Sequence, residues 1–347
     1  MKKTLYTFAS SIAVVLALFL TGCSFQKDTL PDNYAVGIIR TVGNKNRSDI
    51  LYFNENLEQT GVTHYKYATM GGVFYKPVVF DGSLYVVPQG MANKKDLGIV
   101  FRQDLTTFEQ EEFTVDQLAI NGISVDQSAV YTVNTLNGNS IISKVNKKDG
   151  SIETLTYEGI YIPIVYVYND VLYAFSEQHL DTKIESTLYC INPENLSEIN
   201  KMDISHLGTT IYSVVGIEDM LYFAPKTTDK DELNHIVGTY NISDGKTGSI
   251  ECGVSAQHLL QVDDKLYITH GDVVNGEGST ISIYEINTGE IASYDLGMWP
   301  GQIAVYNDSL YVMGEDKIAK FDTQTMAKQA EVNVSLDTGY YLSGIFP

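Results

Sequence analysis

A short phrase recurs six times along this chain of 347 residues: a small acidic turn, then Leu-Tyr or Val-Tyr, then further apolar residues. Two copies read Asp81-Gly82-Ser83-Leu84-Tyr85 and Asp126-Gln127-Ser128-Ala129-Val130-Tyr131. The others read Asn169-Asp170-Val171-Leu172-Tyr173, Glu218-Asp219-Met220-Leu221-Tyr222, Asp263-Asp264-Lys265-Leu266-Tyr267 and Asn307-Asp308-Ser309-Leu310-Tyr311. The residues before each tyrosine lie at 84, 130, 172, 221, 266 and 310, in steps of 46, 42, 49, 45 and 44. A period of roughly 40–50 residues is that of a β-propeller blade, a small sheet that buries its faces only by stacking on its neighbours.

Between the phrases lies a second recurring unit, a hairpin with Asn, Asp or Gly at its centre, as suits a tight turn at positive φ. Residues 141–157 and 281–294 show it, and 50–66, 99–115, 187–203, 236–252 and 317–333 fit the same pattern. Each repeat therefore supplies four strands: strand a before the acidic turn, strand b with Leu-Tyr, and strands c and d as the hairpin. Seven hairpins stand against only six a–b units. The missing pair comes from the two ends: residues 339–346 read as a strand a and residues 34–40 as a strand b. They complete a seventh blade and remove the free edges of the ring. The expected fold is all-β, a seven-bladed propeller of four-stranded antiparallel blades closed by terminal strands sharing one blade.

The Leu-Tyr runs are apolar on both faces, as expected for strands packed between blades, whereas a strand with one wet face alternates. Ser151 to Thr156 does alternate and reads as an outer strand. The acids Asp81, Asp126, Asp170, Asp219, Asp264 and Asp308 are read as capping the a–b turns through side-chain to backbone hydrogen bonds.

Lys2 and Lys3 precede the short apolar run 12–20, the layout of a secretory signal. The run ends in Leu20-Thr21-Gly22-Cys23, which resembles the lipobox of bacterial lipoproteins. That resemblance implies cleavage before Cys23 and a diacylglyceryl thioether on it. Residues 1–22 are then a signal peptide, 23–33 a lipidated tether and 34–347 the propeller. Acyl chains contribute about 0.8 kcal/mol per buried methylene, so two or three hold a protein on a membrane. The scarcity of arginine beside abundant lysine points to a Gram-positive source and the outer face of the cytoplasmic membrane.

The formal net charge is −20, with 43 acidic against 23 basic residues, and losing Lys2 and Lys3 deepens it. Such a surface repels nucleic acid, which is excluded as a partner. Arg40, Arg47 and Arg102 are the three arginines, too few for a set of bidentate anion clamps. Cys190 and Cys252 belong to different repeats and read as two thiols rather than a bridge.

The phrase and turns such as Asn287-Thr288-Gly289 and Asp244-Gly245 resemble bacterial seven-bladed propellers of the YVTN and quinoprotein-like kind, across residues 34–347. Quinoprotein blades carry a recurring tryptophan, and this chain has only Trp299, so pyrroloquinoline quinone is not expected. Neither a metal nor another cofactor is expected. Zinc spacing, a calcium loop and a nucleophile elbow are all missing.

Function is expected on the face bearing the b–c and d–a connections, because long loops on a rigid scaffold carry binding. The b–c loops read as Pro88 to Leu97, Ser176 to Glu185, Pro225 to His235 and His270 to Ser279, and His206 joins from a d–a loop. Eight and nine residues before each anchor lies the top of strand a, at the mouth of the central channel. The candidate ligand-binding residues are Tyr75, Lys76, Asn121, Tyr212, Gln257, His258 and Gln302, with Tyr161 and Trp299 above them and His206 beside them. This polar, aromatic mouth suits a protein, peptide or saccharide ligand. The reading is a membrane-anchored binding module with no catalytic residue assigned. The alternatives are a lactonase-like hydrolase, as related propellers imply, and a scaffold for envelope assembly.

Overall fold

In the computed structural model, residues 27–71, 76–89, 97–271, 278–336 and 338–347 are described. The signal segment, Cys23 and Tyr75 lie outside them. Seven four-stranded antiparallel sheets are present. The inner strands are Tyr341–Phe346 (blade 1), Val78–Phe80 (blade 2), Ile120–Val125 (blade 3), Tyr161–Tyr168 (blade 4), Thr209–Ile217 (blade 5), Ala256–Val262 (blade 6) and Gln302–Tyr306 (blade 7). Among the described residues the only helical element is the 3-10 turn Ser205–Leu207.

The Leu-Tyr phrase explains how the blades stack. Successive side chains of a strand point to opposite faces. Leu221 therefore packs back on blade 4, beside Tyr173 and Phe175, while Tyr222 packs forward on blade 6, beside Leu259 and Leu266. The same division holds for Leu172 and Tyr173, and for Leu266 and Tyr267. Seven apolar clusters result, one at each interface between blades. The ring thus has a core divided into seven wedges, not one central core.

Blade 1 closes the ring from both ends: Tyr341–Phe346 pairs antiparallel with Val36–Thr41, followed by Ser48–Phe53 and Gln59–Tyr65. Phe346 lies across Gly37, where an added Cβ would come within 2.1 Å of its ring. Asp49, fully buried, binds Arg40 Nη2 at 2.8 Å, Arg47 Nε at 3.5 Å and His64 Nδ1 at 2.6 Å. Two of the three arginines thus hold this blade.

Turn chemistry differs from the sequence expectation. Of the a–b turn acids, Asp126 does cap its turn, accepting the N–H groups of Ser128 and Ala129 at 2.7 Å. Five other a–b turns instead place Asp81, Asn169, Glu218, Asp263 and Asn307 at φ of 47–51°. Side-chain capping is concentrated in the c–d turns, where Asn54, Asp104, Asn146, Asn192, Asn241 and Asp322 accept backbone N–H groups two residues on. Each of these turns ends in a left-handed residue, such as Leu57, Gly150, Leu196 or Met326. Where that residue is apolar it is wedged into a blade interface, and this burial offsets the roughly 1–2 kcal/mol cost of the conformation.

The b–c connections are also shorter than expected. Strands b and c of blade 4 stay paired as far as His179 and Ile184, so Ser176 to His179 are strand, not loop. His270 likewise ends a strand b. Cys190 and Cys252 are both free thiols.

Candidate functional site: the axial chamber

Each inner strand is an edge, and its outward N–H and C=O groups need partners. Side chains from the preceding blade supply them. Ser124 Oγ accepts Val167 N–H at 2.9 Å, Tyr166 OH accepts Gly216 N–H at 3.0 Å, and Ser213 Oγ accepts Leu259 N–H at 2.9 Å. Asn121 Nδ2 donates to the Ile162 carbonyl at 3.1 Å, and Gln302 Oε1 accepts Ile345 N–H at 3.3 Å.

Five inner strands break register against strand b: between Ile120 and Gly122, Tyr161 and Ile164, Ile211 and Val214, Ala256 and Leu259, and Leu342 and Gly344. A bulge leaves residues out of the ladder and re-aims their side chains, commonly at a rim. Asn121, Tyr212, Gln257 and His258 are such residues.

Below the rim, blades 2 to 6 enclose a chamber of about 370 Å³. Its wall is mostly apolar, with Val78, Phe80, Val125, Val167 and Tyr168 toward the a–b turns. Its polar groups include Lys76, Gln89, Asn121, Tyr212 and Ser213. Lys76 enters from blade 2 and crosses the lumen, donating from Nζ to the Leu259 carbonyl of blade 6 at 3.3 Å. The residue keeps partial exposure, but burial of its amino end lowers the pKa to about 8. Among the described residues, no carboxylate or imidazole lines this chamber, and no cluster of three metal-ligating side chains occurs.

The sequence-derived candidates thus separate. Lys76, Asn121 and Tyr212 meet on the chamber. Tyr161 is half-buried above it beside Tyr212 and Asn121, and burial drives its phenol well above the ordinary range. Asn121 Oδ1 is buried without a hydrogen-bond partner. Trp299 is also half-buried, its indole against the Gly301 backbone. Gln302 is spent on the blade 7 to blade 1 contact. Gln257 Nε2 donates to the Gly271 carbonyl and Ser255 Oγ. His258 is 2 % exposed inside its strand, its N–H bonded to Thr269 Oγ1 at 3.1 Å. His206 is exposed in the 3-10 turn, 3.3 Å from Thr247 Oγ1 on the outer strand of blade 5.

Sequence reasoning missed Glu177, opposite Tyr161 on strand b and 5 % exposed. Burial raises its carboxyl pKa, opposed by the N–H groups of Thr210 and Ile211 and by nearby His179, whose Nε2 is 4.0 Å from Oε2. The signal was a lone acid closing the apolar run Val171 to Ser176.

No family model matches this chain, and no curated protein does. Solved structures do. A putative 6-phosphogluconolactonase from Bacteroides uniformis is similar at 13 % identity and a TM-score of 0.58, over 88 % of this chain and 99 % of that one. Apo AztD from Citrobacter koseri is similar at 12 % identity and a TM-score of 0.54, over 90 % and 98 %. The dihydro-heme d1 dehydrogenase NirN is similar at 10 % identity and a TM-score of 0.55, over 91 % and 75 %. At these identities the likeness is one of fold: this chain is a seven-bladed β-propeller.

Proposed function

We propose that this protein is a binding module that takes a small, largely apolar ligand into its axial chamber from the face bearing the b–c connections. A lipid on Cys23 displays it on the outer face of the cytoplasmic membrane. The chamber carries the reading. Its volume of about 370 Å³ falls within the roughly 300–1,000 Å³ of ligand pockets, and apolar walls with a few convergent polar groups are their usual make-up. The half-buried Tyr161 and Trp299 offer less open stacking surface than a saccharide platform needs.

A neutral dye, N-phenyl-1-naphthylamine, tests this on the mature chain carrying Cys23→Ser, where no acyl group competes. The dye is expected to brighten on binding, and Val79→Trp, which projects an indole from a partly exposed chamber residue, is expected to abolish the signal. An unchanged signal in that variant removes the chamber as the site. For the anchor, Cys23→Ser is expected to move the protein from the membrane to the soluble fraction.

A further inference from the structure

We propose that the chamber selects a small amphipathic carboxylic acid, with the carboxylate on Lys76 and the apolar body against the valines and tyrosines below. This rests on the chamber reading above. Lys76 is the one charged side chain lining the chamber among the described residues. An ammonium has three donors, and the Leu259 carbonyl takes one. A cation enclosed by apolar groups without a counter-charge is costly, and an incoming anion relieves that cost.

Among the described residues no acid lines the chamber to serve as the partner of Lys76, and burial is the cause of its shift. Among the described residues, the titratable groups facing it across the chamber are the phenols of Tyr166, Tyr168 and Tyr212. Burial raises Tyr166 and Tyr168 above the ordinary range, so neither carries charge near neutrality.

A carboxylate fits better than a phosphate. It brings one charge to one ammonium, whereas a phosphate dianion leaves a second charge in an apolar enclosure with no arginine on its wall. Size limits the body. A cavity of roughly 150 Å³ holds benzene, so a chamber about twice as large suits a chain of about eight carbons.

Calorimetric titration of the mature Cys23→Ser chain with octanoate, 1-octanol and octyl phosphate tests the assignment. Octanoate is expected to bind at least about tenfold more tightly than octanol, a difference worth about 1.4 kcal/mol. Lys76→Met is expected to erase that preference, and Lys76→Arg to keep most of it. The preference is expected to shrink between pH 7 and pH 9.5, as Lys76 loses its proton while the carboxylate stays ionised.

Equal affinity for acid and alcohol, or a preference that survives Lys76→Met, overturns the inference but leaves the chamber as a binding site. Tighter binding of octyl phosphate overturns the choice of carboxylate. Binding of neither octanoate nor octanol overturns both the inference and the chamber reading. If Lys76→Met does not fold by circular dichroism, the acid–alcohol difference in the unsubstituted chamber and its pH dependence decide.

Discussion

His270 ends strand b of blade 6 with its ring enclosed and Nε2 2.8 Å from Ser282 Oγ. Burial lowers its pKa to about 4, so the folded chain keeps it neutral through mildly acid solution. An unfolded histidine protonates near pH 6.5. Between those values the unfolded state binds the extra proton, so stability is full above about pH 6.5 and falls as pH drops toward 4. Lowering pH from 7 to 5 is expected to cost about 2 kcal/mol through this residue. Urea midpoints of the unsubstituted protein and His270→Gln at both pH values check it. The variant should lose markedly less, and equal losses would place the acid sensitivity elsewhere. Asp49 is another buried ionisable group, a carboxylate bonded to Arg40, Arg47 and His64. Asp49→Ala leaves the two guanidinium groups without their anion and is expected to cost about 3–5 kcal/mol, read from denaturant unfolding.

At the scale of the strand, Leu-Tyr is a directional device: leucine fits the interface behind and tyrosine the interface ahead. Exchanging them as Leu221→Tyr with Tyr222→Leu keeps composition and total volume but puts each side chain in the other's wedge. Overpacking at blade 4 and a void at blade 6 are expected to cost more than the Tyr222→Leu single change, by several kcal/mol in denaturant midpoints. Equal stability of the two variants would show that the wedges are not shape-specific. This pattern was legible in sequence because period, alternation and apolar runs are local. So were the seven hairpins and the blade shared by both ends. Connection lengths were less legible, since Ser176 to His179 look polar and loop-like yet pair out to Ile184. Capping was read onto all six a–b turns but holds at Asp126, because Asp suits both a left-handed φ and a side-chain cap, and sequence does not separate the two. The mouth residues were locatable because each bulge keeps a fixed distance from its anchor. The role of Lys76 was not, because its partner is a backbone carbonyl 183 residues away.

Over the whole molecule, each blade packs only on its neighbours, so a propeller resembles a repeat array whose ends have been joined. Joining matters because an open array has two unpaired edges and can fray from either. Here the join is the pairing of Tyr341–Phe346 with Val36–Thr41, secured by Phe346 over Gly37 and by Ser343 Oγ donating to the Met70 carbonyl at 2.6 Å. Removing residues 341–347 takes the inner strand from blade 1 and exposes both that blade and the cluster it shares with blade 7. Phe346 also leaves the cluster shared with blade 2, while the five other interfaces remain intact, so the truncated chain is expected to stay largely folded but to unfold in a broader transition at lower denaturant. Hydrogen exchange should accelerate first in blades 1, 2 and 7 and least in blades 4 and 5, opposite the break. Gly37→Ala forces a Cβ into the Phe346 ring and should give a milder form of the same pattern, at about 1–3 kcal/mol. A truncated chain that unfolds as sharply as the intact one, with protection lost evenly around the ring, would show that the terminal strand does not hold the ring closed.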